Sequence, residues 1–259
     1  MKADPSASVF EHRSLAIALA VTASLIYSTI SGSLWHSPLN VEWVTQVPYL
    51  RSALISLGDI LVMVVLVSVA ARSKPLAVLK LAGLHAPMRM PLIWALGLFV
   101  PALLISLYAA PMASELGARD FVWPTILGPI SEEILYRGLA VGVLIRWCGW
   151  PLLIACLWPA VFFGAAHTWQ GADLESLIGV VAITGLGGLL FGWLYARWNY
   201  NLWPPILLHI GLNSLWTLFD LGENAIGGWF GNALRMAIVI AAVWLSLRMA
   251  PARSPRGEG

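Results

Sequence analysis

The run FVWPTILGPISEEILYRGLAVGVLIR, residues 121–146, decides how the whole chain is read. A helix needs about 20 predominantly apolar residues to cross the hydrocarbon core of a bilayer, and this run is long enough. Near its middle, however, stand Glu132, Glu133 and Arg137. Each charge at such a depth costs roughly 2.5–3.5 kcal/mol, so the three together cost about 7–10 kcal/mol. Either the run is not a membrane span, or the chain keeps these charges because it uses them. The residues on either side decide between the two.

Working outward, the composition is that of a membrane protein. Of 259 residues, 59% are hydrophobic and 11% charged, against a soluble norm of roughly 45–50% and about 25%. The mean hydropathy is +0.80. Fifteen Lys and Arg with 13 Asp and Glu cannot cover the surface of a soluble protein this size, so soluble globular, fibrous and disordered classes are excluded. The apolar stretches are continuous rather than alternating, which argues against a porin-type barrel. Eight runs read as spans: 14–34, 52–71, 91–110, 121–146, 151–168, 176–196, 202–220 and 233–249. The fold class is therefore all-α, a polytopic transmembrane helical bundle of about eight spans. Three segments follow: residues 1–119 with spans one to three, a core at 120–220 formed by spans four to seven that holds Glu132, Glu133 and Arg137, and residues 221–259 with the last span and a tail. The first span has no small-residue cleavage site after it and reads as a retained anchor. Many of the 14 Trp, including Trp35, Trp123, Trp147, Trp150, Trp198 and Trp203, fall near span ends, as an interfacial aromatic belt requires. Cys148 and Cys156 lie in or beside apolar segments and form no disulfide framework.

Charge sets the expected orientation. With eight spans, one side carries Lys2, Arg13, Arg72, Lys74, Lys80, Arg89, Arg146, Arg197, Arg248, Arg253 and Arg256, and the other only Arg51, Arg119 and Arg235. Cations favour the cytoplasm, which places both termini there. The basic loop 72–90 is expected to lie on the inner leaflet surface. A net charge of +2 is too small to suggest nucleic acid, and the lipid bilayer is the partner that the composition demands.

Polar groups surviving inside apolar runs mark candidate chemistry. Glu133 and Arg137 are four apart and share a helical face as an ion pair. Glu132 points about 100° away from Glu133 and needs a partner on another helix or a wet cavity. The fifth span ends Phe163-Gly-Ala-Ala-His167, and the seventh holds His209-Ile-Gly-Leu-Asn213. Gly185, Gly187, Gly188 and Gly192 give the sixth span a smooth face for close packing. Asp59, inside the second span, serves either the cavity or a structural hydrogen bond.

Glu-Glu-x-x-x-Arg at 132–137, Phe-x-x-x-His at 163–167 and His-x-x-x-Asn at 209–213, in that order on separate apolar helices, resemble the CAAX-protease and bacteriocin-processing family. Its members are glutamic-type intramembrane proteases and include the type II prenyl-protein endopeptidases. The resemblance covers about residues 120–220. It implies an intramembrane endopeptidase that needs no cofactor and hydrolyses a peptide bond of a membrane-associated protein or peptide, in its C-terminal or leader segment. It also implies an integral protein of a bacterial inner membrane.

The chemistry of the residues agrees with that implication. Amide hydrolysis needs an activated water, a place for the oxyanion and a proton for the leaving amine. Glu132 and His167 can hold and deprotonate a water. His209 and Asn213 can donate to the oxyanion from one face. Glu133 and Arg137 would support the fourth helix from behind. The same atoms allow a rival: one glutamate and two histidines, Glu132, His167 and His209, can form a catalytic zinc site, although no H-E-x-x-H helix is present. A third reading is a non-catalytic bacteriocin-immunity or abortive-infection protein, and a fourth a transporter with a Glu132–His167 proton relay. One depth conflict stands open. His167 ends the fifth span, while His209 lies about 10 Å from the start of the seventh at 1.5 Å per residue, yet the two spans are expected to run in the same direction.

Overall fold

The computed structural model describes residues 5–114, 116–117, 121–222 and 224–251. Among them, every apolar run named above forms a helix. We label the long helices α1 (Pro5–His36), α2 (Leu50–Ala70), α3 (Arg89–Ala109), α4 (123–146), α5 (Leu152–Ala166), α6 (Leu174–Arg197), α7 (Trp203–Leu218) and α8 (Trp229–Met249). Short helices at Glu42–Thr45 and Pro75–Lys80 lie in the connections. The fold is all-α, with no strand among the described residues. Large apolar side chains such as Leu57, Leu61 and Val65 of α2 and Leu96 and Leu104 of α3 face outward, where lipid rather than water must meet them. The chain is an integral membrane protein.

Among the described residues, six helices are long and apolar enough to cross a bilayer: α1 from Glu11, α2, α3, α5 extended to Gln170, α6 and α8. The two remaining segments depart from a regular span. The 16 residues of α7 extend only about 24 Å, short of the ~30 Å hydrocarbon core. Helix α4 alternates between π-helical turns at Trp123–Leu127 and Glu133–Val141 and α-helical turns at Gly128–Glu132 and Gly142–Arg146. These two irregular helices carry five of the six candidate residues.

Packing does not follow chain order. One apolar core joins α1, α2, α4, α5 and the start of α7 through Leu25, Met63, Leu139, Cys156 and Ile206. The other joins α3, α6, α7 and α8 through Trp94, Leu98, Leu194, Leu208 and Ile238. The first three spans therefore do not pack as a unit: α1 and α2 lean on α4, while α3 goes to α7 and α8.

The loop 72–90, expected on the leaflet surface, is docked on the bundle. Val78, Leu81 and Ala82 are buried. The Tyr195 hydroxyl donates to the Leu81 carbonyl, and Asn201 Nδ2 donates to the Pro87 carbonyl at 3.0 Å. At Gly138 of α4, a Cβ would lie 2.9 Å from the Ala82 Cα, so only glycine lets this loop touch α4. The same loop covers the start of α7, where Asn201, Leu202, Pro204, Pro205 and Ile206 are buried. Irregular backbone is tolerated in a membrane protein where protein covers it. Asn201 Oδ1 caps the entry by accepting from the Trp203 N–H at 3.0 Å. Helix α7 thus begins inside the protein rather than at its surface. With this short helix and its buried start, the rings of His167 and His209 both meet that of Phe163, at centroid distances of 4.5 and 6.3 Å.

Candidate active site

Helix α4 is irregular for a local reason. The Gly128 N–H reaches back five residues to the Trp123 carbonyl, so the Pro124 carbonyl would look to residue 129 for its donor. That residue is Pro129, which has no N–H. The orphaned carbonyl is satisfied from another helix: Asn213 Nδ2 of α7 donates to it at 2.8 Å. One N–H of the Asn213 amide is thereby spent, and its second remains to donate elsewhere.

Below that turn, the adjacent glutamates divide. Glu133 is fully buried, and its Oε1 accepts from Arg137 Nη1 at 3.0 Å and from His209 Nδ1 at 2.8 Å. An ionised carboxylate only accepts, so His209 Nδ1 is the donor there. Glu132 turns the other way around the helix. Its side chain is 34% exposed, and its Oε2 lies 3.8 Å from His209 Nε2. With both acids and both cations ionised, the group Glu132, Glu133, Arg137 and His209 is neutral. That balance is what a low-dielectric setting demands of buried charge.

Aromatic rings seal the Glu133 side. The Arg137 guanidinium lies 4.1 Å from the Phe163 ring centroid and 5.1 Å from that of Phe191. His209 packs against the same two rings, with centroids 6.3 Å from Phe163 and 5.2 Å from Phe191. Phe191 comes from α6, and small residues bring that helix close. A Cβ at Gly188 would stand 2.9 Å from Ala160 Cβ and 3.4 Å from Arg137 Nη2, and one at Gly192 would stand 2.8 Å from Cys156 Sγ. Gly187 has nothing within 4 Å of the same position, so the smooth face is narrower than the glycine run suggests.

His167 caps the C-terminus of α5. Its ring lies 4.5 Å from that of Phe163, tilted by 56°, so both candidate histidines pack against one phenylalanine. Its Nδ1 donates to the Phe163 carbonyl at 2.7 Å, since a carbonyl only accepts. In the neutral ring this leaves Nε2 as a lone-pair acceptor. The structure thus gathers residues of α4, α5 and α7 around Phe163. It also adds two links the sequence did not suggest, His209 to Glu133 and Asn213 to Pro124. Among the described residues, no group of three His, Cys, Asp or Glu side chains could hold a metal ion.

Phe191 was not singled out from sequence. Its signal was available: it is three residues beyond Gly188 on the smooth face of α6. Asp59 is 8% exposed, and Ser31 Oγ of α1 donates to its Oδ2 at 3.1 Å. Its Oδ1 has no partner among the described residues. A charge at that depth costs roughly 2.5–3.5 kcal/mol, whereas one interhelical hydrogen bond returns about 0.6 kcal/mol on average.

Comparison with known proteins bears on these same helices. The family described as "Type II CAAX prenyl endopeptidase Rce1-like" matches residues 114–215, a segment that holds all six candidate residues. Over that segment the chain is similar to this family. It is also similar to a Bacillus subtilis (strain 168) protein named "Putative membrane peptidase YdiL", 34% identical over 121 residues. That alignment covers 47% of this chain and 45% of the relative, so the chain spans about half the length of the curated relative it matches. No solved structure matches the chain. Helices α1, α2 and α3 precede the matched segment, and α8 follows it.

Proposed function

We propose that this protein is an intramembrane endopeptidase. It hydrolyses a peptide bond of a membrane-associated protein or peptide with a water activated by Glu132 and His167. The observation that carries the reading is the division between neighbouring glutamates. Glu133 is consumed by Arg137 and His209, while Glu132 keeps an accessible carboxylate beside the same imidazole.

In the reaction, Glu132 takes a proton from the water as it attacks the scissile carbonyl, and returns that proton to the leaving amine. His167 accepts a hydrogen bond from the water through Nε2, its tautomer held by the Phe163 carbonyl. The developing oxyanion receives the second N–H of Asn213 and the Nε2–H of His209. His209 donates from both nitrogens only as an imidazolium, with Nδ1 on Glu133. Preorganised donors of this kind supply the largest single share of many enzymes' rate. The family supports a substrate at the membrane, and both termini facing the cytoplasm of a bacterial inner membrane is the orientation the charge bias supports.

The test uses purified protein in proteoliposomes with an internally quenched farnesylated CAAX peptide and its unprenylated counterpart. Wild type is expected to cleave at least one of them, and Glu132→Gln to lower turnover by about 10²–10⁴-fold with the melting temperature unchanged. A fully active Glu132→Gln protein overturns the mechanism. A well-folded wild type that cleaves neither peptide counts against the substrate class.

A further inference from the structure

The Glu132 side of α4 has its own support, and it comes from helices outside the matched segment. Tyr136 is four residues after Glu132, hence on the same face. Its hydroxyl lies 3.2 Å from Ser28 Oγ of α1. Ser28 gives its own hydrogen to the Leu25 carbonyl at 2.9 Å, so Tyr136 is the donor. One turn along α1, Ser31 is completely packed away and reaches both the Ser28 carbonyl at 3.2 Å and Asp59 Oδ2 at 3.1 Å. A chain of polar contacts therefore runs Asp59–Ser31–Ser28–Tyr136, from α2 across α1 to the face of α4 that bears the free glutamate.

Asp59 is more than this packing needs. It is over nine-tenths buried, has no cationic partner among the described residues, and keeps one oxygen unsatisfied. Burying it costs more than its serine bond returns, and unpaired carboxyls inside membranes mark function by default. We propose that Asp59 is a positioning residue: with Ser31, Ser28 and Tyr136 it forms a strap that fixes the Glu132 face of α4 against α1 and α2. The strap rests on the reading of Glu132 as the base. It acts through Glu132 and touches no substrate.

Leucine at position 59 separates positioning from stability. Asp59→Leu removes an expensive polar group from the membrane interior, so its melting temperature is expected to hold or rise. Its kcat on the cleaved peptide is expected to fall about 10–100-fold with KM little changed, the scale of a small misplacement of a reacting group. Ser31→Ala and Tyr136→Phe should lower kcat alike, and Asp59→Leu with Tyr136→Phe should be no worse than either alone, because both cut one chain. Asp59→Asn, which still accepts from Ser31, should restore most of the rate. A merely structural Asp59 gives the opposite pattern, a lower melting temperature with kcat intact, and that result overturns the strap.

A second readout needs no substrate. In a Cys148→Ala, Cys156→Ala background carrying Glu132→Cys, maleimide alkylation at position 132 should change several-fold when Asp59→Leu is added. An unchanged alkylation rate overturns the proposal. An inactive Glu132→Gln beside a fully active Asp59→Leu removes the strap alone, whereas an active Glu132→Gln removes the base reading beneath it.

Discussion

Helices α2 and α3 and helices α4 and α7 solve opposite problems. The first pair are regular 21-residue spans whose outward faces are leucine, valine and isoleucine. Their backbone bonds close internally, as lipid requires, except at Pro101 of α3, which has no N–H to offer the Gly97 carbonyl. The second pair are a helix of mixed α and π turns and a 16-residue helix with a buried start. Their irregularities occur where protein covers them, and they bring in nearly all of the site's ionisable groups. Length and regularity serve insertion, while broken geometry serves convergence. The irregular pair can afford its charges because each charge on the Glu133 side meets a partner from another turn or helix.

Substitutions should therefore act very unequally in the two regions. The largest difference is expected between adjacent residues of α4. Glu132→Gln should abolish turnover and leave the fold intact. Glu133→Gln should cost about 3–5 kcal/mol, because it strands a buried guanidinium, and activity should go with it. Thermal melts and peptide cleavage on the same samples check this. Equal melting losses in the two variants would erase the division.

Next comes α7. Asn213→Ala should lower kcat by about 10²–10³-fold, as loss of one oxyanion donor does, with KM little altered. Its effect on stability should be smaller than that of Glu133→Gln, because the bond it removes, to the Pro124 carbonyl, is exposed. Metal analysis of the same enzyme sharpens the assignment. Active protein is expected to carry far less than stoichiometric zinc and to survive a strong chelator. Stoichiometric zinc, lost with activity on chelation and restored with it, would make His209 a ligand rather than a donor.

Smaller effects should follow the aromatic seal. Phe191→Leu removes a ring 5.1 Å from Arg137, and a loss of about 1–2 kcal/mol is expected from the desolvated cation–π contact. On the regular side, Leu104→Ala on the outward face of α3 should change stability by no more than about 0.5 kcal/mol. A larger loss there would show that this face meets protein rather than lipid. Crossing by α4 is checked by labelling. Cysteines at Ser73 and Ala172, with α3, α4 and α5 between them, should react from opposite sides of the membrane. Same-side labelling would mean that α4 does not cross. Ala172 is chosen to spare Asp173, which caps α6 through the Ser176 N–H at 2.8 Å. That bond holds the Asp173 carboxyl below its ordinary value. Its contribution is present above the unfolded value and is lost as pH falls through the folded one.

The amino-acid sequence by itself determined the class and the helices. Apolar runs of span length force helix formation in a bilayer, so each run became a helix. The Glu133–Arg137 pair was equally legible, because four-residue spacing is a local property of a helix. The candidate histidines and asparagine were found because polar groups are costly in lipid. Tertiary structure decided which of those groups met. His209 bonds to Glu133, 76 residues away, and Asn213 to Pro124, 89 residues away. No periodicity encodes such pairs. The missing donor of Pro129 announced an orphaned carbonyl, but not which helix would answer it. The buried start of α7 depended on loop 72–90 folding over it, a contact between segments more than 100 residues apart. Local spacing sets which face a residue occupies. Only packing sets what that face touches, because depth and register between helices are chosen by the whole bundle.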